Sequence, residues 1–118
     1  MNAEWVKVHD KVEEGLTVYR VYMDPDTIRR NGDVVKLWAL IDFKTLQTDP
    51  MSSYLSVKSQ REIHCTEKRI RLLMMTAFSG NMGSGTVVYR YSDFNDQGIP
   101  IEPSSVAQSL WNVICGKK

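Results

Sequence analysis

Two cysteines, two histidines and a glycine-rich stretch are the groups in this chain whose chemistry could reach beyond packing. His64 precedes Cys65, and an imidazole beside a thiol is the raw material of a nucleophilic dyad. Neighbours on a β-strand point to opposite faces, so a strand through "REIHC" separates base from sulfur. Zinc needs closely spaced ligands, and His9, His64, Cys65 and Cys115 contain no C-x-x-C or H-x-x-x-H pair. In "DFNDQG", Asp93, Asn95 and Gly98 fill the first, third and sixth positions of a calcium loop. The twelfth is Ser104, where such a loop requires a bidentate Glu, so the stretch reads as a polar turn. "GNMGSGT" has no lysine before its hydroxyl residue and lies between strands, which fits neither a P-loop nor a dinucleotide turn. Gly80, Gly83 and Gly85 are read as backbone freedom instead of a phosphate cradle. The expectation is a chain with no catalytic residues, no metal and no cofactor.

The elements that carry these residues follow from size and pattern. A chain of 118 residues can bury one core and is too short for two, so residues 1–118 are read as a single domain. Apolar residues make up 42% and charged residues 25%, with 15 basic against 14 acidic side chains. That balance excludes a disordered chain and bulk electrostatic binding of nucleic acid. No apolar run approaches the roughly 18 residues that span a bilayer. The start, "MNAEWVKV", lacks the order of an export signal, which leaves a cytosolic protein or one whose leader has been removed.

Period-two alternation dominates. Glu4 to Asp10 and Thr17 to Met23 form the first two strands, joined through Gly15. Asp24 and Pro25 end the second, and Asn31-Gly32 supplies the positive φ values of a tight turn. Val34 to Lys44 is a long strand with Leu37, Ala39, Ile41 and Phe43 on one face and Lys36, Trp38, Leu40 and Asp42 on the other. The next strand sets Leu55, Val57, Ser59, Arg61, Ile63 and Cys65 against a polar face of Ser56, Lys58, Gln60, Glu62 and His64, which meets water. A two-residue turn at Thr66-Glu67 pairs Ile63 with Ile70 and Glu62 with Arg71, oil with oil and charge with countercharge. Arg69 to Ser79, a glycine loop and "TVVYRYS" complete about six antiparallel strands in a meander.

One amphipathic helix closes the chain. Ser105 with Gln108 three residues on forms a capping box. At about 100° per residue, Val106, Ala107, Leu110, Trp111, Val113, Ile114 and Cys115 share one arc. The apolar sheet face needs a cover, and Cys65 lies on that face by parity, so Cys115 can reach it and fasten helix to sheet. The alternative is two unpaired buried cysteines acting as small hydrophobes. A bridge contributes about 4 kcal/mol in the chain-entropy picture and implies an oxidising compartment.

From Thr17 to Cys115 the chain resembles the surface-adhesin protein E family of Gram-negative bacteria. The likeness is carried by "YMDPDTIRRNGDVVKLWALIDFK", with Trp38, Asp42 and Lys44, and by "REIHCTEKRIRLL", with Cys65 and Arg71. It continues in "SGNMGSGTVV", with Gly80, Met82, Gly83 and Gly85, and ends at "SSVAQSLWNVIC", with Trp111 and Cys115. The resemblance implies an exported α+β domain: a six-stranded antiparallel sheet, a C-terminal helix on its concave side and one disulfide between them. It also implies a non-enzymatic protein of the periplasm, outer membrane or cell surface, with partners such as the host proteins vitronectin, laminin and plasminogen.

Where partners would bind is read from the outer face. Lys58, Arg69 and Arg71 converge there under the proposed register, and Trp38 shares the face with Lys36 and Asp42. These four residues are the expected partner-binding positions. The expected function is an adhesin-like module acting through its sheet, the alternative a periplasmic envelope factor or small inhibitor docking on an enzyme. Exposed edge strands permit a homodimer.

Overall fold

The computed structural model describes residues 4–48, 52–92 and 98–116. Eight strands form one antiparallel sheet: β1 (Val6–Glu13), β2 (Leu16–Met23), β3 (Arg29–Asn31), β4 (Val34–Thr48), β5 (Ser53–His64), β6 (Arg69–Phe78), β7 (Val87–Tyr91) and β8 (Ile99–Pro100). The main path runs β1-β2-β4-β5-β6-β7, with β3 added to β4 and β8 to β6. The six-strand expectation is therefore corrected to eight. The extra two are strands of three and two residues, too short to display alternation, and they form only because β4 and β6 offer free backbone beside them.

The register expected for the central hairpin is present: Ile63 faces Ile70 and Glu62 faces Arg71. Its turn centres on Thr66-Glu67, with Lys68 N–H donating to Cys65 O at 3.3 Å. The β3–β4 turn is displaced by one residue from the expected Asn31-Gly32. Asn31 pairs with Val34, and the two central residues are Gly32 and Asp33. Only Gly32 has positive φ, at 63°, as a turn with glycine in its first central position requires.

The helix α1 (Val106–Ile114) lies across one face. Leu110 and Ile114 bury against Met23, Val35, Leu37, Ala39, Ile63 and Ile70, while Trp111, Val113 and both cysteines pack at the edge of that cluster. The Ser105 hydroxyl accepts from Gln108 N–H at 3.1 Å, but the Gln108 side chain runs forward to Asn112 Oδ1 at 2.7 Å, so half of the capping box is made. Beyond the helix, the same face carries a row of rings. His9, Tyr19, Phe43, Tyr54 and Tyr89 follow one another at centroid spacings of 6.3, 5.8, 6.0 and 6.0 Å, the last three pairs edge to face.

The opposite, outer face departs from the expectation that it meets water throughout. Leu40 and Ser56 are fully buried and Thr76 nearly so. Part of the cover is the glycine loop after β6, described below.

Candidate functional site

The cysteines form a disulfide. Cys65 Sγ and Cys115 Sγ are 2.04 Å apart, joining positions 50 residues apart in sequence. Both thiols are thereby consumed, so neither is a nucleophile or a zinc ligand. His64 lies on the far side of the strand, its Nε2 3.0 Å from Glu62 Oε1.

The bridge sits inside a clasp of hydrogen bonds. Trp111 Nε1–H donates to Cys65 O at 3.0 Å, and Arg30 Nη2–H donates to Ile114 O at 2.8 Å, a cation on the carbonyl end of the helix. Cys65 N–H donates to Asp33 O, and the Asp33 carboxylate accepts from Thr66 N–H and from Thr66 Oγ1 at 2.7 Å. Those bonds from Thr66 hold the Asp33 carboxyl below its ordinary range, with the nearby His64 adding to the effect. The β3–β4 turn, the β5–β6 turn and the helix end are thus tied together at one pole of the sheet.

The other pole shows what the glycine loop does. Asn81 Nδ2–H donates to Asp42 Oδ1 at 3.0 Å and Met82 N–H donates to the same oxygen at 2.7 Å. Ser56 Oγ donates to Gly80 O at 2.7 Å and accepts from Gly83 N–H at 2.9 Å. The N–H groups that a phosphate would have used are aimed at Asp42 and Ser56 of the chain's own sheet. Met82, at φ 55°, bears the positive dihedral in the middle of this short helical turn. The loop therefore folds over the outer face and closes its β4–β5 end. Of the "DFNDQG" stretch, Asp93 and Asn95 lie outside the described residues.

Between the poles the outer face is open and basic. Register places Lys7, Arg20, Arg29, Lys36, Lys58, Arg69, Arg71 and Arg90 on it, against the carboxylates Asp10, Glu13, Asp42 and Glu62. Every one of those carboxylates is already engaged. Asp10 meets Lys7 at 2.7 Å and Arg20 at 3.2 Å, Glu13 meets Lys11 at 3.8 Å, and Glu62 meets Arg71 at 3.6 Å as well as His64. The Lys7 hydrogen bond, with the charges of Lys7 and Arg20, holds the Asp10 carboxyl below its ordinary value against the opposing cost of desolvation. Asp42 holds the glycine loop. Among the described residues, Arg29, Lys36, Lys58, Arg69 and Arg90 are left without a carboxylate partner.

The four expected binding residues all lie on this face, in two groups. Lys58 Nζ sits 5.1 Å from the Trp38 ring centroid, a cation over an aromatic face. Arg71 pairs with Glu62, leaving its buried Nε without a hydrogen-bond partner, and Arg69 Nη2–H donates to Gly98 O at 2.6 Å. Four residues of β5 separate Lys58 from Glu62, about 13 Å along the strand, so the two groups do not merge. Sequence reading did not single out Arg29, Lys36 and Arg90. Arg29 faces Lys36 across β3–β4, and the row continues Lys36, Glu62, Arg71. A hollow of about 420 Å³ opens beside it, lined by Arg29, Arg30, Asn31, Val34, Lys36 and Glu62. The signal for Lys36 was present in its alternation with Trp38, whereas Arg29 and Arg90 needed the pairing of β3 and β7.

The sequence model of one family, surface-adhesin protein E, matches residues 5–116. The chain belongs to that family. The match spans nearly the whole chain and begins earlier than the Thr17 expected from the quoted motifs. Solved structures of Haemophilus influenzae protein E share the fold. One crystal form superposes with a TM-score of 0.62 at 15% identity, covering 97% of each chain. Protein E from non-typeable Haemophilus influenzae gives 0.57 at 14% identity, covering 98% of this chain and 85% of that one. No curated protein sequence matches.

Proposed function

We propose that residues 1–118 form a single exported, non-enzymatic interaction domain, adhesin-like in use, which binds host extracellular-matrix or plasma proteins through the outer face of its sheet. Vitronectin, laminin and plasminogen are the partner class. One observation carries this reading above the others: on the outer face every carboxylate is engaged within the chain, while five cations have no carboxylate partner among the described residues, Arg29 and Arg69 bonding only backbone carbonyls and Lys58 a ring. An excess of positive charge that no carboxylate neutralises steers and orients a partner of opposite sign. Family membership and a disulfide that favours an oxidising compartment agree with export. The exposed apolar positions Val6 and Val12 on edge strand β1 give a route to a homodimer that leaves the outer face free.

The test is a panel of immobilised matrix and plasma proteins titrated with the oxidised domain. Saturable binding in the micromolar range, weakening as salt rises, is expected. Signals no higher than on an albumin surface across the whole panel would overturn the proposal.

A further inference from the structure

The outer-face cations that no carboxylate neutralises among the described residues are arranged for a particular kind of ligand. Arg29 and Lys36 sit opposite each other on β3 and β4. Lys58 stands on β5 four residues beyond the Lys36 row, and Arg90 lies in the Lys58 row on β7, through Thr76. Four strand spacings across and four residues along put the ends of this band about 19 Å apart in one direction and 13 Å in the other. Charges so spread cannot converge on one phosphate or carboxylate. A flexible chain bearing an anion on each of several successive units can meet them all in turn.

We propose that the outer face binds a sulfated polysaccharide chain laid diagonally across the sheet from Arg29 and Lys36, past Lys58, to Arg90. The proposal rests on the outer face being the docking surface, and it names the ligand chemistry that face takes. Two observations favour a glycan over a nucleic acid. Single-stranded bases need bare aromatic faces on which to stack, and the Trp38 ring is covered by Lys58 Nζ at 5.1 Å. The hollow of about 420 Å³ beside Arg29, Asn31 and Lys36 offers amide, guanidinium and ammonium donors on its wall, matched to hydroxyl and sulfate oxygens of a sugar ring. Glu62 does not repel the ligand outright, because Arg71 and His64 hold its oxygen at 3.6 and 3.0 Å.

The probe is heparin, used immobilised and in solution with the oxidised full chain. The wild-type protein is expected to stay bound to a heparin column at physiological salt and to elute as salt rises. Lys36→Ala and Arg90→Ala remove exposed side chains that bond nothing among the described residues; together they weaken heparin binding about tenfold, as two lost surface ion contacts would. Lys68→Gln removes one charge from the helix side, where its Nζ lies 4.6 Å from the Trp111 ring centroid, and leaves binding unchanged. Far-ultraviolet circular dichroism of each variant shows that the fold is kept. Passage through the column without retention, equal retention of the Lys36→Ala/Arg90→Ala protein, or equally tight binding of single-stranded DNA overturns the proposal. Repeating the matrix panel after enzymatic removal of sulfated chains separates this idea from the wider one. Protein binding that survives the treatment and remains sensitive to Lys36→Ala keeps the docking face and discards the glycan.

Discussion

Arg61 is the residue at which polarity and position disagree. It stands on the helix-side face between Leu37 and Leu72, among residues that otherwise build the core. Its Nε–H donates to Ser59 Oγ at 3.0 Å, and it makes no ion pair among the described residues. Burial pushes its guanidinium down to about 10, well below its ordinary value. Between that value and the ordinary one the unfolded chain binds more protons than the folded one, so stability rises with pH there. At neutral pH the penalty is present in full. Arg61→Met keeps the stem and removes the charge, and it is expected to raise the unfolding free energy by about 1–2 kcal/mol. Urea denaturation at pH 7 measures this; a lower midpoint in the variant would mean that the guanidinium contributes net stability. The position of Arg61 was legible from alternation with Val57 and Ile63. Its single hydrogen bond was not, because that depends on a small neighbour, Ser59, two residues away on the same face.

At the scale of elements, what could be read was whatever repeats. Alternation gave the six longer strands, and the pairing of Ile63 with Ile70 fixed the central register. The arc from Val106 to Cys115 gave the helix, and parity on β5 gave the bridge. What could not be read was whatever breaks the repeat. On β6 the register slips between Arg61–Leu72 and Gln60–Met74, so Leu73 is extra. A strict period of two would put Arg71 and Thr76 on opposite faces, yet both lie on the outer one. Arg90, which pairs with Thr76, was hidden by the same slip. The glycine loop read only as backbone freedom because its partners, Asp42 and Ser56, are about 40 and 25 residues away, and nothing local announces them. The disulfide is the element-scale device that most affects stability. Reducing it frees the unfolded chain across 50 residues and is expected to lower the unfolding free energy by about 4 kcal/mol. Urea titrations with and without reductant check this, and coincident curves would contradict it. The bonds from Arg30 to Ile114 O and from Trp111 to Cys65 O need no sulfur, so the helix is expected to stay docked after reduction.

The whole molecule separates its charge. A net charge of +1 conceals a face on which eight cations meet four carboxylates, all four of them occupied internally. The clasp at one pole and the glycine loop at the other hold that face rigid, so little ordering cost is added when a partner arrives. The proposed two-sided use of the sheet rests on one physical division: the apolar side is sealed by a bridged helix and a row of rings, and the basic side is the one proposed for recognition. The most direct test is equilibrium binding of vitronectin and laminin to the oxidised domain and to its Lys36→Glu/Arg90→Glu variant, each checked for an unchanged fold. The account predicts saturable binding by the wild type and a loss of at least about tenfold in the variant. Equal affinity of the two proteins for the same partner would contradict it.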